Sequence, residues 1–301
     1  MFSKLYAESG LSLDRLRAML EVGASGSIVK AAEGDPVRQS QYSRQIKELE
    51  DFFRVKLMER DRKGMRLTTN GRELARISRF FLLGLSNFQR GCLAEGQTFR
   101  IGASATFIRQ FLVPVITNSL DQTDNRFVLE VAADDEIERR LHDLTLDFGV
   151  VTATALSRPL QTRTIGKSKL LLVVPRPLCS SRAAASKAFR EESLPVALAE
   201  RELNLSVFPS LKDYEPLLAC DSFLSARSAM EEQTLATVLP DFLVQRKESC
   251  WQVPIPAINS PAIHFQLAWN PRLLRLNPLI VRTRDLLSAS LKTLYLKHSR
   301  P

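Results

Sequence analysis

The 301-residue chain is long enough for two domains or one large one, and its near-average composition excludes a largely disordered protein. Its 42 lysines and arginines exceed its 33 aspartates and glutamates, which gives a formal net charge of +9 and a pI of about 9.6. This excess favours a polyanionic partner, either nucleic acid or an acidic membrane surface.

Targeting and metal-binding signals are missing from the sequence. There is no uncharged apolar run of about 18 residues, and the first ten residues do not resemble a secretion signal, so we expect a cytoplasmic protein without a membrane partner. The chain has three histidines, and its four cysteines are widely separated without a CxxC pair. We therefore predict reduced, mostly buried thiols and neither a metal site nor a cofactor.

Two short helices are predicted near the N-terminus. Ser12 precedes LDRLRAML, whose leucines recur every three or four residues, so Ser12 should cap a first helix that Gly23 and Gly26 end. Ser27 should cap a second helix, IVKAAE.

A third helix follows a break at residues 34–36 and starts near Val37 or Arg38. Its apolar residues are spaced by four, three and four positions, which places them on one buried face. These residues are Tyr42, Ile46, Leu49 and Phe53. Three short helices joined by tight turns predict a helix-turn-helix.

The next segment, VKLMERDRKGMRLTT, alternates apolar and basic residues around Lys63 and Gly64. That alternation predicts a two-stranded hairpin with a charged tip, the wing of a winged helix-turn-helix domain spanning residues 1–69.

A long amphipathic helix is predicted within residues 70–96. Its apolar positions are Leu74, Ile77, Phe81, Leu85 and Phe88. Because the helix follows a complete small domain, we expect it to pack on a second copy of the chain as a dimerising linker. Packing back onto its own domain is the alternative.

Residues 97–301 alternate strand and helix patterns, as in an α/β domain. FRIGAS, FVLEVAA, LDFGVVTA and KLLLVVP predict buried strands, SFLSARSAMEEQTLATVL predicts one strong helix, and LNPLIVRTRDLLSASLKTLYL predicts a final helix. The overall fold class is α+β.

These features, in this order, resemble the LysR-type transcriptional regulators of bacteria along nearly the whole chain. GSIVKAA, the run from Gln39 through Ser43, Arg44, Ile46 and Leu49 to Glu50, and LMERDRKGMRLTTNG are similar to the family's N-terminal signatures without a gap. RIGAS, LDFGVVT and LPDFL are similar to its downstream segments.

The chain departs from the family pattern at several positions. Asp35 and Arg38 replace a leucine and a small hydroxyl residue at the start of the third helix, and Arg54 replaces the glycine that usually ends it. Gln233 and Leu235 replace glycines close to the family's ligand cleft, so we expect a reshaped pocket.

The resemblance makes the third helix a DNA-recognition helix, whose amide and guanidinium groups can pair with adenine and guanine. We predict base contacts for Arg38, Gln39 and Arg44, and phosphate contacts for Ser40, Ser43 and Lys47. The remaining expected DNA-binding residues are Ser27, Lys30, Gln41, Arg60, Arg62, Lys63, Arg66 and Thr68. A merely solvated helix face is the alternative.

Catalytic signatures are absent, since the chain lacks GxSxG, GxxxxGK[ST], HExxH and GxGxxG motifs. The acids from Asp134 to Glu138 suit a helix start better than a metal site. We therefore predict that the protein is not an enzyme and has no catalytic residues.

The family's second half implies two subdomains like those of periplasmic binding proteins, with a small effector in the cleft between them. We expect the first subdomain at about residues 97–160 and 260–301, and the second at about 161–259. An anionic effector group would meet backbone and hydroxyl donors at Ser104, Ala105 and Thr106, faced by Thr152 and Thr154.

The resemblance implies a homodimer or homotetramer that binds a double-stranded DNA operator and responds to a small-molecule effector, with RNA polymerase as a further candidate partner. One alternative is a constitutive DNA-binding regulator whose C-terminal domain serves only oligomerisation. Another is an α/β enzyme with a nucleic-acid-binding appendage.

Overall fold

The computed structural model describes residues 10–61, 64–93, 96–119, 125–152, 155–203, 211, 214–232, 234–244, 249–255, 262–276 and 278–298. The chain divides into two compact units, one ending at Gly91 and the other beginning at Cys92. No helix in these ranges is both long enough and apolar enough to cross a membrane.

The first unit opens with three helices that begin where side chains cap them. Ser12, Ser27 and Asp35 each accept a hydrogen bond from a backbone N–H of the following turn, as their positions in the sequence predict. Pro36 occupies the first position of the third helix. The helices are α1 Leu13–Ser25, α2 Ile28–Ala31 and α3 Pro36–Phe53.

Helix α1 runs past Gly23, which corrects the expectation that this glycine helps to end it. Gly23 lies against Leu67, so closely that a Cβ atom there would be 2.9 Å from the Leu67 Cγ. Only Gly26 ends the helix, with a φ of 68° that favours glycine. Its carbonyl accepts a 2.8 Å hydrogen bond from the Met65 N–H, which ties this turn to the following hairpin.

That hairpin is the predicted wing, formed by the antiparallel strands β1 (Met58–Asp61) and β2 (Gly64–Leu67). The core beneath it contains the expected face of α3, with Tyr42, Ile46 and Leu49 buried. Helix α1 contributes Leu16, Ala18, Met19 and Val22 to the same core.

Glu50 is a buried carboxylate between α3 and the wing. Its Oε1 accepts hydrogen bonds from the Leu57 and Met58 N–H groups at 2.8 and 3.1 Å, and its Oε2 lies 2.7 Å from the Lys56 Nζ. Burial alone would raise the pKa of Glu50, but the hydrogen bonds from Lys56 and the two amides lower the pKa below its ordinary value. This carboxylate fixes the entry into β1.

Helix α3 ends at Arg54, which adopts the left-handed conformation with a φ of 55°. A residue with a Cβ atom is strained there relative to glycine. We expect Arg54→Gly to stabilise the first unit by about 0.5–1 kcal/mol, measured as a rise in melting temperature by circular dichroism. Arg54→Ala, which keeps the Cβ, should give no such rise; a lower melting temperature for Arg54→Gly would contradict the strain argument.

The long helix α4 spans Thr69–Leu93. Its first turn is capped by Thr68, whose hydroxyl accepts from the Gly71 N–H and donates to the Lys56 carbonyl. Leu74 packs against the core of the first unit. The rest of the predicted apolar stripe is open to solvent: Ile77, Phe81, Leu85 and Phe88 are 54%, 49%, 44% and 74% exposed.

The second unit contains two five-stranded sheets. The strands are β3 Thr98–Ala103, β4 Arg126–Val131, β5 Phe148–Val151, β6 Gln161–Ser168, β7 Leu170–Pro175, β8 Val196–Ala199, β9 Leu218–Cys220, β10 Ala236–Pro240, β11 Cys250–Pro254 and β12 Ile263–Trp269. One sheet has the strand order β4-β3-β5-β12-β6, and the other has the order β11-β7-β10-β8-β9.

The chain crosses between the sheets twice, after β6 and again between β11 and β12. Strand β6 pairs antiparallel with β12 in the first sheet, whereas we expected residues from about 161 onwards in the second subdomain. The two sheets therefore correspond to two subdomains, with the first crossing at Ser168 and Lys169.

Helices cover the sheets, and the predicted final helix is present. The segment after β3 is helical throughout residues 105–119, with a π-helix at Ile108–Leu112. The helices are α5 Ala105–Phe107, α6 Val113–Ser119, α7 Asp134–His142, α8 Arg182–Arg190, α9 Phe223–Glu231, α10 Pro271–Leu274 and α11 Pro278–His298.

One predicted helix is wrong in part. The segment at residues 222–239 contains α9, but its second half is the strand β10. All five residues of β10 are buried, and the strand lies between β7 and β8. A continuous apolar run fits either a buried helix or a central strand, and the neighbouring strands decide the matter here.

Candidate DNA-binding surface and effector cleft

Helix α3 presents one polar face to solvent in the first unit. Ser40, Gln41, Ser43, Arg44 and Lys47 are exposed, which agrees with a surface available to DNA. None of Ser40, Gln41, Ser43 and Lys47 uses its side chain in a hydrogen bond with another described residue. Their donors and acceptors are therefore available to a partner.

Gln39 and Arg38 are half-buried instead of fully outward-facing. The Arg38 guanidinium donates to the Glu33 carboxylate at 3.1 Å and to the Tyr42 hydroxyl at 3.3 Å. Base reading by Arg38 would require it to leave these partners, because its side chain is directed along the helix toward them. Gln39 has no side-chain partner among the described residues.

Acidic neighbours also hold some of the other predicted cations. The Arg44 Nε lies 3.8 Å from Glu48, and Arg66 pairs across the wing with Glu59 at 2.9 Å. These pairs are exposed and weak, so phosphates can replace them at little cost. Lys30 and Arg60 are exposed.

Two of the residues predicted to contact DNA use their hydroxyl groups to cap helices within the first unit. The Ser27 hydroxyl caps α2, and the Thr68 hydroxyl is committed to the cap of α4 and to the Lys56 carbonyl. Capping is the ordinary role of hydroxyl residues at these positions, and the sequence pattern alone does not distinguish it from DNA contact. Arg62 and Lys63, at the expected wing tip, lie outside the described residues.

In the second unit, a cavity of about 600 Å³ lies between the two subdomains at the carboxyl ends of their strands. The first subdomain contributes Ser104, Ala105 and Thr152, all of them predicted, and the second contributes Arg201, Glu202 and Asp221. Thr154 and Gln233 are outside the described part of the chain.

The expected donors at Thr106 are not open to an external anion. The Thr106 N–H and hydroxyl donate to the Glu202 carboxylate at 2.9 and 2.5 Å, and Thr106 is only 2% exposed. Glu202 Oε2 also accepts from the Phe223 N–H at 2.8 Å. A carboxylate of the chain itself therefore occupies this position.

Thr152 is satisfied in the same way. Its N–H and hydroxyl donate to the Asp134 Oδ2 at 2.9 and 2.7 Å. The Ser104 hydroxyl accepts from the Phe107 N–H as a helix cap. The expectation that hydroxyl and amide donors are free to bind an anionic effector is thus corrected at Thr106 and Thr152, because these donors are hydrogen-bonded to the Glu202 and Asp134 carboxylates.

Within the described part of the chain, the charged groups that line the cavity are the carboxylates of Asp134, Glu202 and Asp221 and the Arg201 guanidinium. Arg201 is exposed and makes no hydrogen bond or ion pair with another described residue. Asp221 accepts a 3.0 Å hydrogen bond from the Ser225 hydroxyl.

Sequence reasoning missed Arg201, Glu202 and Asp221, although a signal was present. Both segments, AER at residues 199–201 and CDS at 220–222, place charged residues directly after a strand. Ligands of open α/β sheets bind outside the carboxyl ends of the strands. Recognising β8 and β9 as strands would have identified these residues as lining.

The acidic start of α7 does not form a metal site in the residues that the structure covers. No group of three or more histidine, cysteine, aspartate or glutamate side chains there could hold a metal ion. Asp134 bonds to Thr152, and Glu138 accepts a 2.7 Å hydrogen bond from the Ser157 N–H.

Comparison with known proteins agrees with both halves of this architecture. Residues 13–72 match the family description "Bacterial regulatory helix-turn-helix protein, lysR family", and residues 94–292 match "LysR substrate binding domain". YvbU of Bacillus subtilis, an uncharacterized HTH-type transcriptional regulator, is 24% identical over 243 residues, covering 78% of this chain and 75% of YvbU.

Two solved structures are similar over nearly the full length. A full-length OxyR variant from Pseudomonas aeruginosa has a TM-score of 0.63 and 17% identity, covering 95% of this chain and 96% of OxyR. LysG from Corynebacterium glutamicum, solved with the bound effector Arg, has a TM-score of 0.61 and 14% identity, covering 97% of this chain and 100% of LysG. The fold prediction is confirmed, and the chain belongs to the LysR family of DNA-binding transcriptional regulators with an effector-binding domain.

Proposed function

We propose that α3 enters the major groove of an operator and that Gln39 and Arg44 read base edges there. Ser40, Ser43 and Lys47 then contact phosphates, as do Arg60 and Arg66 of the wing. The exposed polar face of α3, most of whose side chains make no hydrogen bond with another described residue, is the single observation that carries this proposal.

The operator-binding form is a dimer or a tetramer. The exposed stripe of Ile77, Phe81, Leu85 and Phe88 on α4 favours packing against a second copy, because a contiguous row of large apolar side chains is costly in water. A two-fold symmetric dimer implies two half-sites in the DNA. Contact with RNA polymerase and a cytoplasmic location remain predictions.

A small molecule in the cavity between the subdomains would modulate DNA binding or bending. The cavity of about 600 Å³ supports this role because its size lies within the range of small-molecule sites. The bound Arg of LysG supports it by analogy of fold. Regulation requires that the ligand bind two conformations with different affinity.

The constitutive alternative is favoured by one specific observation. Thr106 and Thr152 already donate to carboxylates of the chain, as they would to a bound anion. A domain whose cleft donors are already hydrogen-bonded to its own carboxylates would keep one conformation without any effector. The enzyme alternative has no comparable support, and we propose that the chain catalyses no reaction.

The test is binding of the purified protein to promoter fragments from its own genomic neighbourhood. We expect selective binding to a subset of fragments, with an affinity that falls about 1000-fold between roughly 50 and 200 mM salt because phosphate contacts release counterions. Equal binding to every fragment would contradict a sequence-specific regulator.

The same fragments test the effector role. A screen of small molecules should identify at least one that changes the operator affinity or the bend angle. If the affinity and the bend angle are the same with every molecule tested, the constitutive alternative replaces the effector-responsive one.

A further inference from the structure

The Glu202 bridge is defined here as the three hydrogen bonds that the Glu202 carboxylate accepts from the Thr106 N–H, the Thr106 hydroxyl and the Phe223 N–H. Thr106 follows β3 in the first sheet, whereas Glu202 follows β8 and Phe223 follows β9 in the second. The bridge therefore joins the two subdomains across their cleft.

The donors of the bridge are well shielded from water. Thr106 is 2% exposed and Phe223 is 4% exposed. Hydrogen bonds to an ionised acceptor are stronger than those between neutral groups, and a buried N–H left without an acceptor is costly. Separating the subdomains would leave the Thr106 donors without their present acceptor.

No other carboxylate among the described residues of the cleft has this bridging position. Asp134 bonds to Thr152, but both residues belong to the first subdomain. Asp221 bonds to Ser225, and both belong to the second. Of the three carboxylates that the described lining contains, Glu202 is the one placed to resist opening of the cleft.

We propose that Glu202 is an internal ligand, whose carboxylate holds the two subdomains together when no other molecule is bound. This inference rests on the proposed function of the second unit as an effector domain. An external anion must then compete with a carboxylate tethered to the same chain, which acts at a high effective concentration. An effector changes the spacing of the subdomains by displacing Glu202 from Thr106.

The test is chemical rescue in the full-length protein. Glu202→Ala removes the carboxylate and leaves a space that formate, the smallest carboxylate, can enter. We expect Glu202→Ala to melt about 5 °C below the wild type in chloride. Roughly 100 mM formate at matched ionic strength should recover part of that loss by binding to the folded state.

Glu200→Ala is the matched control. Glu200 is exposed and lies two residues from Glu202, and its replacement by alanine removes the same charge. Neither this control nor the wild type should have a higher melting temperature in formate than in chloride. A Glu202→Ala protein that melts with the wild type, or that gains no more from formate than Glu200→Ala, would overturn the proposal.

Glu202→Gln covers the case in which the alanine variant does not fold. Glutamine keeps the shape but places an N–H₂ group against N–H and O–H donors, so it should melt below the wild type by a smaller margin and be insensitive to formate. Wild-type melting of Glu202→Gln would also contradict the bridge.

Operator binding by the wild-type chain separates this proposal from the proposed function. Absence of selective DNA binding by the wild type would refute the regulator role and leave the formate result unaffected. Selective DNA binding without any formate rescue would refute only the Glu202 bridge.

Discussion

Replacing Glu50 with alanine is expected to reduce the free energy of unfolding of the first unit by about 3 kcal/mol. The substitution leaves the Leu57 and Met58 N–H groups without their acceptor at a buried position. Unfolding in urea followed by circular dichroism measures the loss.

Glu48→Ala is the control for the Glu50 variant. Glu48 lies on the same helix, and its ion pairs with Arg15 and Arg44 involve partly exposed side chains. Its removal should cost at most about 1 kcal/mol. An equal loss in both variants would show that the two buried amides do not depend on Glu50.

The lowered pKa of Glu50 leads to a prediction about the pH dependence of stability. Its pKa is lowered in the folded state, so its contribution to stability is complete above the unfolded value of about 4.3 and is lost as the pH falls through the folded pKa. The stability difference between wild type and Glu50→Gln should therefore shrink as the pH falls below about 4. A constant difference between pH 6 and about 3 would contradict an ionised Glu50.

The double variant Gln39→Ala, Arg44→Ala should bind a specific operator at least about 30-fold more weakly than the wild type, since each base contact contributes roughly 1–3 kcal/mol. Its melting temperature should stay near that of the wild type, because Arg44 is 73% exposed at its side chain and the Gln39 side chain bonds to no described residue. Fluorescence anisotropy with a labelled operator measures the affinity.

Gln161→Ala, Arg182→Ala is the matched control for that experiment. It removes the same two residue types from exposed positions of the second unit. We expect wild-type affinity for this control. Comparable weakening by both double variants would indicate a general effect of charge on DNA binding and no specific role for α3.

The first unit was largely predictable because its signals are local. Capping side chains stand directly before α1, α2 and α3, and the buried face of α3 has a clear helical period. Gly23 was misassigned because its role is a close approach to Leu67, which is distant in sequence. The sequence indicates Glu50 only as part of the family pattern. Its structural role is not predicted, because its amide partners lie beyond the end of its own helix.

The second unit was less predictable because its decisive contacts are between distant segments. Strand β10 forms by pairing with its neighbours β7 and β8, whereas the local pattern of residues 222–239 predicts one continuous helix. The sequence predicts Thr106 at the cleft, but it does not predict the bond to Glu202, which is 96 positions away in sequence. Local patterns place a donor at a strand end, and they do not reveal which side chain it bonds to.

The central claim is that α3 reads the bases of an operator, and single base-pair substitutions across that operator test it most directly. The affinities of the wild type and of Gln39→Ala are compared at every position. We predict that Gln39→Ala loses discrimination at one base pair in each half-site and keeps it at the others. A uniform loss of affinity at all positions, with the wild-type pattern of discrimination intact, would contradict base reading by this residue and leave α3 with phosphate contacts alone.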